Sequence, residues 1–172
     1  MAIISFRPKQ VSKKLMSVLK DRSFDIIANR YGLADDTKRK TLEAIGQKYG
    51  ITRERVRQIE NAALASIRKS DAMKTEEPTF KELETLIKSM GNVVHEGDFL
   101  KEISEDPSIQ NHINFYLVLG EAFTQNKEDE NFKSRWVVNH EVVDKVHDAL
   151  KNLYKSLDTD ELVAESDMID RF

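Results

Sequence analysis

Residues 41–70 read TLEAIGQKYGITRERVRQIENAALASIRKS, and the glycine at position 50 constrains the fold of this stretch more than any other residue. Leu42, Ile45 and Tyr49 recur at helical spacing up to Gly50, and Val56, Ile59, Ala63 and Ile67 recur at helical spacing after it. Gly50 breaks the first helix and Thr52 can cap the second. Two helices with buried stripes, joined by so short a turn, predict a helix-turn-helix. A strand reading of ITRERVRQIE fails, because Ile51 and Val56 are five positions apart and do not share a face at period two.

The same spacing turns Arg53, Glu54, Arg57, Gln58 and Asn61 outward, and the residues near the start of the second helix are best placed to enter a major groove. Arg53 and Arg57 can bond guanine edges, Gln58 can pair with adenine, and Glu54 can accept from a cytosine amine. A glutamate among arginines weakens generic phosphate binding, so Glu54 points to base readout or to orientation of its neighbours. Lys38, Arg39, Lys48, Arg55 and Arg68, with Thr52 at the helix start, are the candidates for phosphate contact.

Charge divides the chain in the same place. The first 70 residues carry 16 Lys and Arg against 7 Asp and Glu, a net of +9, and the remaining residues carry 11 against 23, a net of −12. Opposite halves predict a nucleic-acid-binding part joined to an acidic part with a different partner. The stretch SDAMKTEEPT (70–79) is polar, lacks apolar periodicity and contains Pro78, so 71–78 is expected to link a domain at 1–70 to one at 79–157. Residues 158–172 read as an acidic tail.

Two packing helices are expected ahead of the turn, one from Pro8 to Lys20 with Val11, Leu15, Val18 and Leu19 on one face, one from Arg22 to Tyr31 with Phe24 and Ile27. In the acidic half, TFKELETLIKSMG, VVHEGDFLKEI and IQNHINFYLVLGEAF suggest three helices, the second with an extended entry. FTQNKEDENFKSRWVV then suggests a hairpin around a charged KEDEN turn. Three helices and a hairpin describe a winged helix. HEVVDKVHDALKNLYKSL adds a last amphipathic helix with Val142, Val146, Leu150, Leu153 and Leu157 near one face. The expected fold class is mainly α, a helical helix-turn-helix domain followed by a winged-helix domain with a small β-hairpin.

RYGL (30–33) and TLEAIGQKYGITRERVRQIENAAL (41–64) resemble region four of the primary sigma factors of bacterial RNA polymerase, the module that binds the −35 promoter element; the likeness covers about residues 12–70. It implies that Arg53, Glu54 and Gln58 face base edges and that Arg55 and Arg57 serve phosphates or bases nearby. It also implies that the earlier helices, through Val11, Leu15, Phe24 and Ile27, contact the flap of the polymerase beta subunit. The family's last helix usually continues with basic residues where this chain has Ala62, Ala65 and Ser66. No aromatic-rich segment of the kind that melts promoters accompanies the module, so a complete sigma factor is not expected. The order of elements in the acidic half is similar to the winged helix of the polymerase delta subunit.

Other chemistries find little support. There is no cysteine for a disulfide or thiolate site. MAIISF is too short for a signal sequence, and no apolar stretch approaches a membrane span, so a cytoplasmic, nucleoid-associated protein is expected. His140 and His147 lack further ligands for a metal, and residues 158–170 have Val163 where a calcium loop needs glycine. Trp136 reads as core. No phosphate loop or nucleophile motif is present, so no enzyme, cofactor or small-molecule substrate is expected.

The expected function is a sequence-specific DNA-binding transcription factor that reads a −35-like element in double-stranded DNA and contacts RNA polymerase. The alternative is an adaptor that docks polymerase and blocks or redirects sigma without reading DNA. The acidic half, with three acids in its KEDEN tip, is expected to bind protein rather than DNA and to fold back on the basic half.

Overall fold

The computed structural model describes residues 4–34, 36–157 and 163–171. In chain order its elements are α1 (Pro8–Met16), α2 (Asp21–Tyr31), α3 (Leu42–Tyr49), α4 (Arg53–Arg68), α5 (Asp71–Thr75), α6 (Glu77–Ser89), β1 (Val93–His95), α7 (Glu96–Ile103), α8 (Pro107–Leu119), β2 (Thr124–Asn126), β3 (Arg135–Val137), α9 (His140–Ser156) and α10 (Glu165–Arg171). Most of the described chain is helical, as the periodicity predicts. Pro8 opens α1 where no amide donor is needed, and Gly32 ends α2 with a φ of 65°.

The acidic half is a winged helix: α6, β1, α7 and α8 are followed by the β2–β3 hairpin. β3 lies between β1 and β2, antiparallel to both, with Trp136 opposite Val94 on one side and Gln125 on the other. Trp136 is buried, in keeping with its reading as core.

The expected linker is not one. Ser70 caps α5 by accepting from the Met73 amide at 3.2 Å, and Pro78 sits in the first turn of α6. Proline interrupts a helix interior but is tolerated in a first turn, so the residue that suggested a break marks a start. Glu76, between the two helices, is buried and pairs with Lys14 of α1 at 2.8 Å.

The halves share one core. Leu15, Ile27, Tyr31, Leu64 and Ile67 from the basic half cluster with Leu83, Ile87, Ile113, Phe115, Tyr116 and Leu117 from the acidic half. α8 runs through the middle, with eight of its thirteen residues buried, the mark of a helix covered all round. It is also held by polar contacts. Asn111 donates to the Gly32 and Thr37 carbonyls at 3.0 and 2.8 Å and accepts from Arg39 at 2.7 Å. Ser12, His112 and Tyr116 join in a buried chain, His112 Nδ1 to Ser12 Oγ at 2.7 Å and Ser12 Oγ to Tyr116 Oη at 2.8 Å, with Tyr116 donating to the Pro8 carbonyl. The acidic half therefore folds back on α1, α2 and α4.

α9 differs from the other long helices in burying only Val143. The expected acidic tail lies partly outside the described residues, and 165–171 within it form α10.

Candidate nucleic-acid interface

A small second cluster, Ile26, Ile45 and Val56 flanked by Leu42, Tyr49, Ile51 and Ile59, holds α3 and α4 against α2. Thr41 caps α3 by accepting from the Ala44 amide, and Thr52 caps α4 by accepting from the Arg55 amide, both at 3.1 Å. Gly50 takes a φ of 63°, and the Ile51 amide closes the turn onto the Gly46 carbonyl at 3.0 Å. Gly46 is a requirement that the sequence reading missed. A Cβ there would lie 2.7 Å from the Ile51 carbonyl oxygen, so the two helices can approach only over a glycine. Its signal was a glycine inside an otherwise regular helical pattern.

This scaffold brings Arg53, Glu54, Arg57 and Gln58 together on the exposed face of the first two turns of α4, with Arg55 beside them. Their side chains are linked. Arg57 donates through Nε and Nη2 to the two Glu54 oxygens, both at 2.8 Å, and Arg55 donates to the Gln58 amide oxygen at 3.1 Å. The Arg57 guanidinium holds the Glu54 carboxyl below its usual range, so Glu54 stays ionised and keeps the fork of Arg57 in place. Glu60, on the opposite face, is 7% exposed, accepts from Tyr31 at 2.9 Å and lies 3.4 Å from Arg30. It ties the back of α4 to α2.

The phosphate candidates separate. Lys38 is exposed near the turn leading to α3, and Lys48 is exposed but pairs with Asp25 at 3.0 Å. Arg39 is exposed yet tied to Asn111. Thr52 has its hydroxyl engaged in the cap. Arg68 is committed elsewhere: it donates to the Leu119 and Val118 carbonyls at 3.0 and 2.7 Å, neutralising the end of α8. That contact fixes the halves together and turns the guanidinium from the reading face.

The residues assigned to polymerase contact are mostly covered. Val11 is 5% exposed, and Leu15 and Ile27 are fully buried in the core shared with α8; Phe24, at 43%, is exposed. Their helical spacing marked an apolar face correctly, but the acidic half of the same chain covers it. Phe24 instead lines a cleft of about 420 Å³ with Met16, Leu33, Lys9 and Lys13.

Among the described residues no helix is long and apolar enough to cross a membrane. The model of the family "Sigma-70, region 4" matches residues 15–69. RNA polymerase sigma factor SigA1 of Synechococcus elongatus is 52% identical over 54 residues, which are 31% of this chain and 13% of that protein. Sigma factor SigA of Nostoc sp. is 50% identical over 56 residues, 33% of this chain and 14% of that protein, and SigA of Microcystis aeruginosa 48% over 56 residues, 33% and 13%. The likeness thus spans about a third of this chain and a small part of each relative. Residues 15–69 carry a sigma-70 region 4 domain, and the α3–turn–α4 unit is its helix-turn-helix.

Proposed function

We propose that the chain is a sequence-specific DNA-binding transcription factor that presents α4 to the major groove of a −35-like element. Arg53, Glu54, Arg57 and Gln58 read base edges, and Lys38, Arg39, Lys48, Thr52 and Arg55 hold the flanking phosphates. The observation that carries this reading is the open face of α4: capped at its start, backed by buried Val56 and Glu60, and bearing a preset Glu54–Arg57 fork. A reading face already in position loses little freedom on binding. The acidic half packs behind α4 and leaves that face clear.

The adaptor alternative, in which the module docks polymerase without reading DNA, needs the apolar face of α1 and α2, and α8 occupies it. In this arrangement a polymerase contact has Phe24 and its cleft as the remaining accessible part of the four-residue set. The deciding measurement is a selection from randomised duplexes without polymerase. Enrichment of a −35-like sequence, lost in an Arg57→Ala, Gln58→Ala double variant, is expected; binding only when polymerase is added would favour the adaptor.

A further inference from the structure

α8 meets the loop between α2 and α3 through one side chain, Asn111, which is 6% exposed. Its amide nitrogen donates to the Gly32 carbonyl at 3.0 Å and to the Thr37 carbonyl at 2.8 Å, and its oxygen accepts from Arg39 Nε at 2.7 Å. Two carbonyls on one side and a guanidinium on the other fix which end of the amide is which, and both amide hydrogens are used. The loop is shaped around this side chain. Thr37 holds a φ of 49°, a conformation that a β-branched residue keeps only where its surroundings impose it. A Cβ on Gly32 would lie 2.6 Å from Asn111 Nδ2, so the amide can approach only over a glycine.

The contact to Arg39 goes beyond what the loop needs. The two carbonyl bonds already hold the backbone at Gly32 and Thr37, whereas the bond to Nε sets the direction of an exposed side chain. With Nε on Asn111, Arg39 keeps both terminal nitrogens for another acceptor, and among the described residues none takes them. Arg39 stands three residues before Leu42, the first residue of α3. The first helix of a helix-turn-helix crosses the DNA backbone, so a guanidinium edge at its start suits a phosphate. We propose that Asn111 is a positioning residue for DNA binding: from the acidic half it aims the outer edge of Arg39 at a phosphate beside the α3–α4 unit. This role rests on the reading of Arg39 as a phosphate contact. The acidic half then supports DNA binding in spite of its charge, through one amide that holds a cation in place. A side chain fixed in advance loses little freedom when the phosphate arrives.

Binding of the full chain to a fluorescent mixed-sequence duplex, titrated over a range of salt, tests this role, because phosphate contacts do not depend on sequence. Arg39→Ala should lower affinity about tenfold and reduce the slope of log affinity against log salt by about 1. Asn111→Ala, with Arg39 still present, should lower affinity by a similar factor, and the double variant should bind no more weakly than Arg39→Ala alone. A defect confined to the scaffold would instead add to the loss of Arg39. If far-ultraviolet dichroism shows that Asn111→Ala folds poorly, Arg39→Lys decides: it keeps the charge and both carbonyl bonds of Asn111 but has no second edge to be held by, and it should also lose affinity. An unchanged slope in Arg39→Ala would take Arg39 off the phosphates and overturn that reading together with the positioning role. A loss in Arg39→Ala accompanied by full affinity in folded Asn111→Ala or in Arg39→Lys, or by additive losses in the double variant, would leave the phosphate reading standing and overturn the role of Asn111.

Discussion

Glu54 accepts both arms of Arg57, and the Gln58 amide lies 3.5 Å from the same carboxylate, so its removal should change how the face reads as well as how tightly it binds. Glu54→Ala and Gln58→Ala should each alter base preference at one or two positions by about 1–3 kcal/mol, seen as altered logos in duplex selection. Unchanged logos in both would remove these residues from base readout. Arg55→Ala should instead weaken all sequences alike and reduce the slope of log affinity against log salt by about 1. Arg68 provides the contrast. Its charge looks like a phosphate contact in sequence, yet its guanidinium caps α8. Arg68→Ala should therefore lower unfolding stability by about 1–3 kcal/mol while leaving the salt slope unchanged. A changed slope at constant stability would return Arg68 to the DNA interface.

At the scale of elements, the helix-turn-helix was legible because each determinant is local: periodic apolar residues, a glycine stop and a threonine cap lie within one short stretch. Gly46 escaped notice because its constraint is a distance between two helices. Gly46→Ala should cost about 1–3 kcal/mol in urea denaturation and loosen the angle between α3 and α4, reducing DNA affinity too. Gly50 has open space around it and only its backbone to protect, so Gly50→Ala should cost about 1 kcal/mol with less effect on the reading face. Equal effects at the two positions would contradict this division. The wing and its strands could be read from alternation and turn residues, whereas the start of α6 was masked by Pro78, which punctuates both loops and helix starts. α8 is covered on nearly all sides although Asn111, His112 and Asn114 are among its buried residues, so its pattern did not say that it is covered or by what. The partner, α1 and α2, is some hundred residues away in sequence, and no periodicity encodes such a pairing.

At the scale of the whole molecule, the opposite charges of the halves are brought together by a core and a buried polar chain, and this arrangement should respond to acid. His112 sits in that chain against Ser12 and is buried. Desolvation, with Lys9 adding repulsion and Asp106 opposing it, pushes its pKa down from 6.5 to about 4. With the proton on Nδ1, the neutral ring donates to Ser12, Ser12 donates to Tyr116 and Tyr116 donates to the Pro8 carbonyl, so each group donates once. Below pH 6.5 the unfolded chain takes up a proton at His112 that the folded chain refuses, so the unfolded state binds more protons and folding weakens as pH falls. The loss should be complete near pH 4 and amount to about 3 kcal/mol, after which this residue contributes no further slope. Carboxylates titrate over part of the same range, so the measurement is a difference: unfolding free energy between pH 7 and 4 in the parent chain and in His112→Gln. The variant should show the shallower decline. Because the halves share one core, Trp136 fluorescence from the wing and far-ultraviolet dichroism from the helices should report a single transition at every pH. Equal pH slopes in the two proteins would show that His112 does not carry the acid sensitivity, and separate transitions would show that the halves unfold independently.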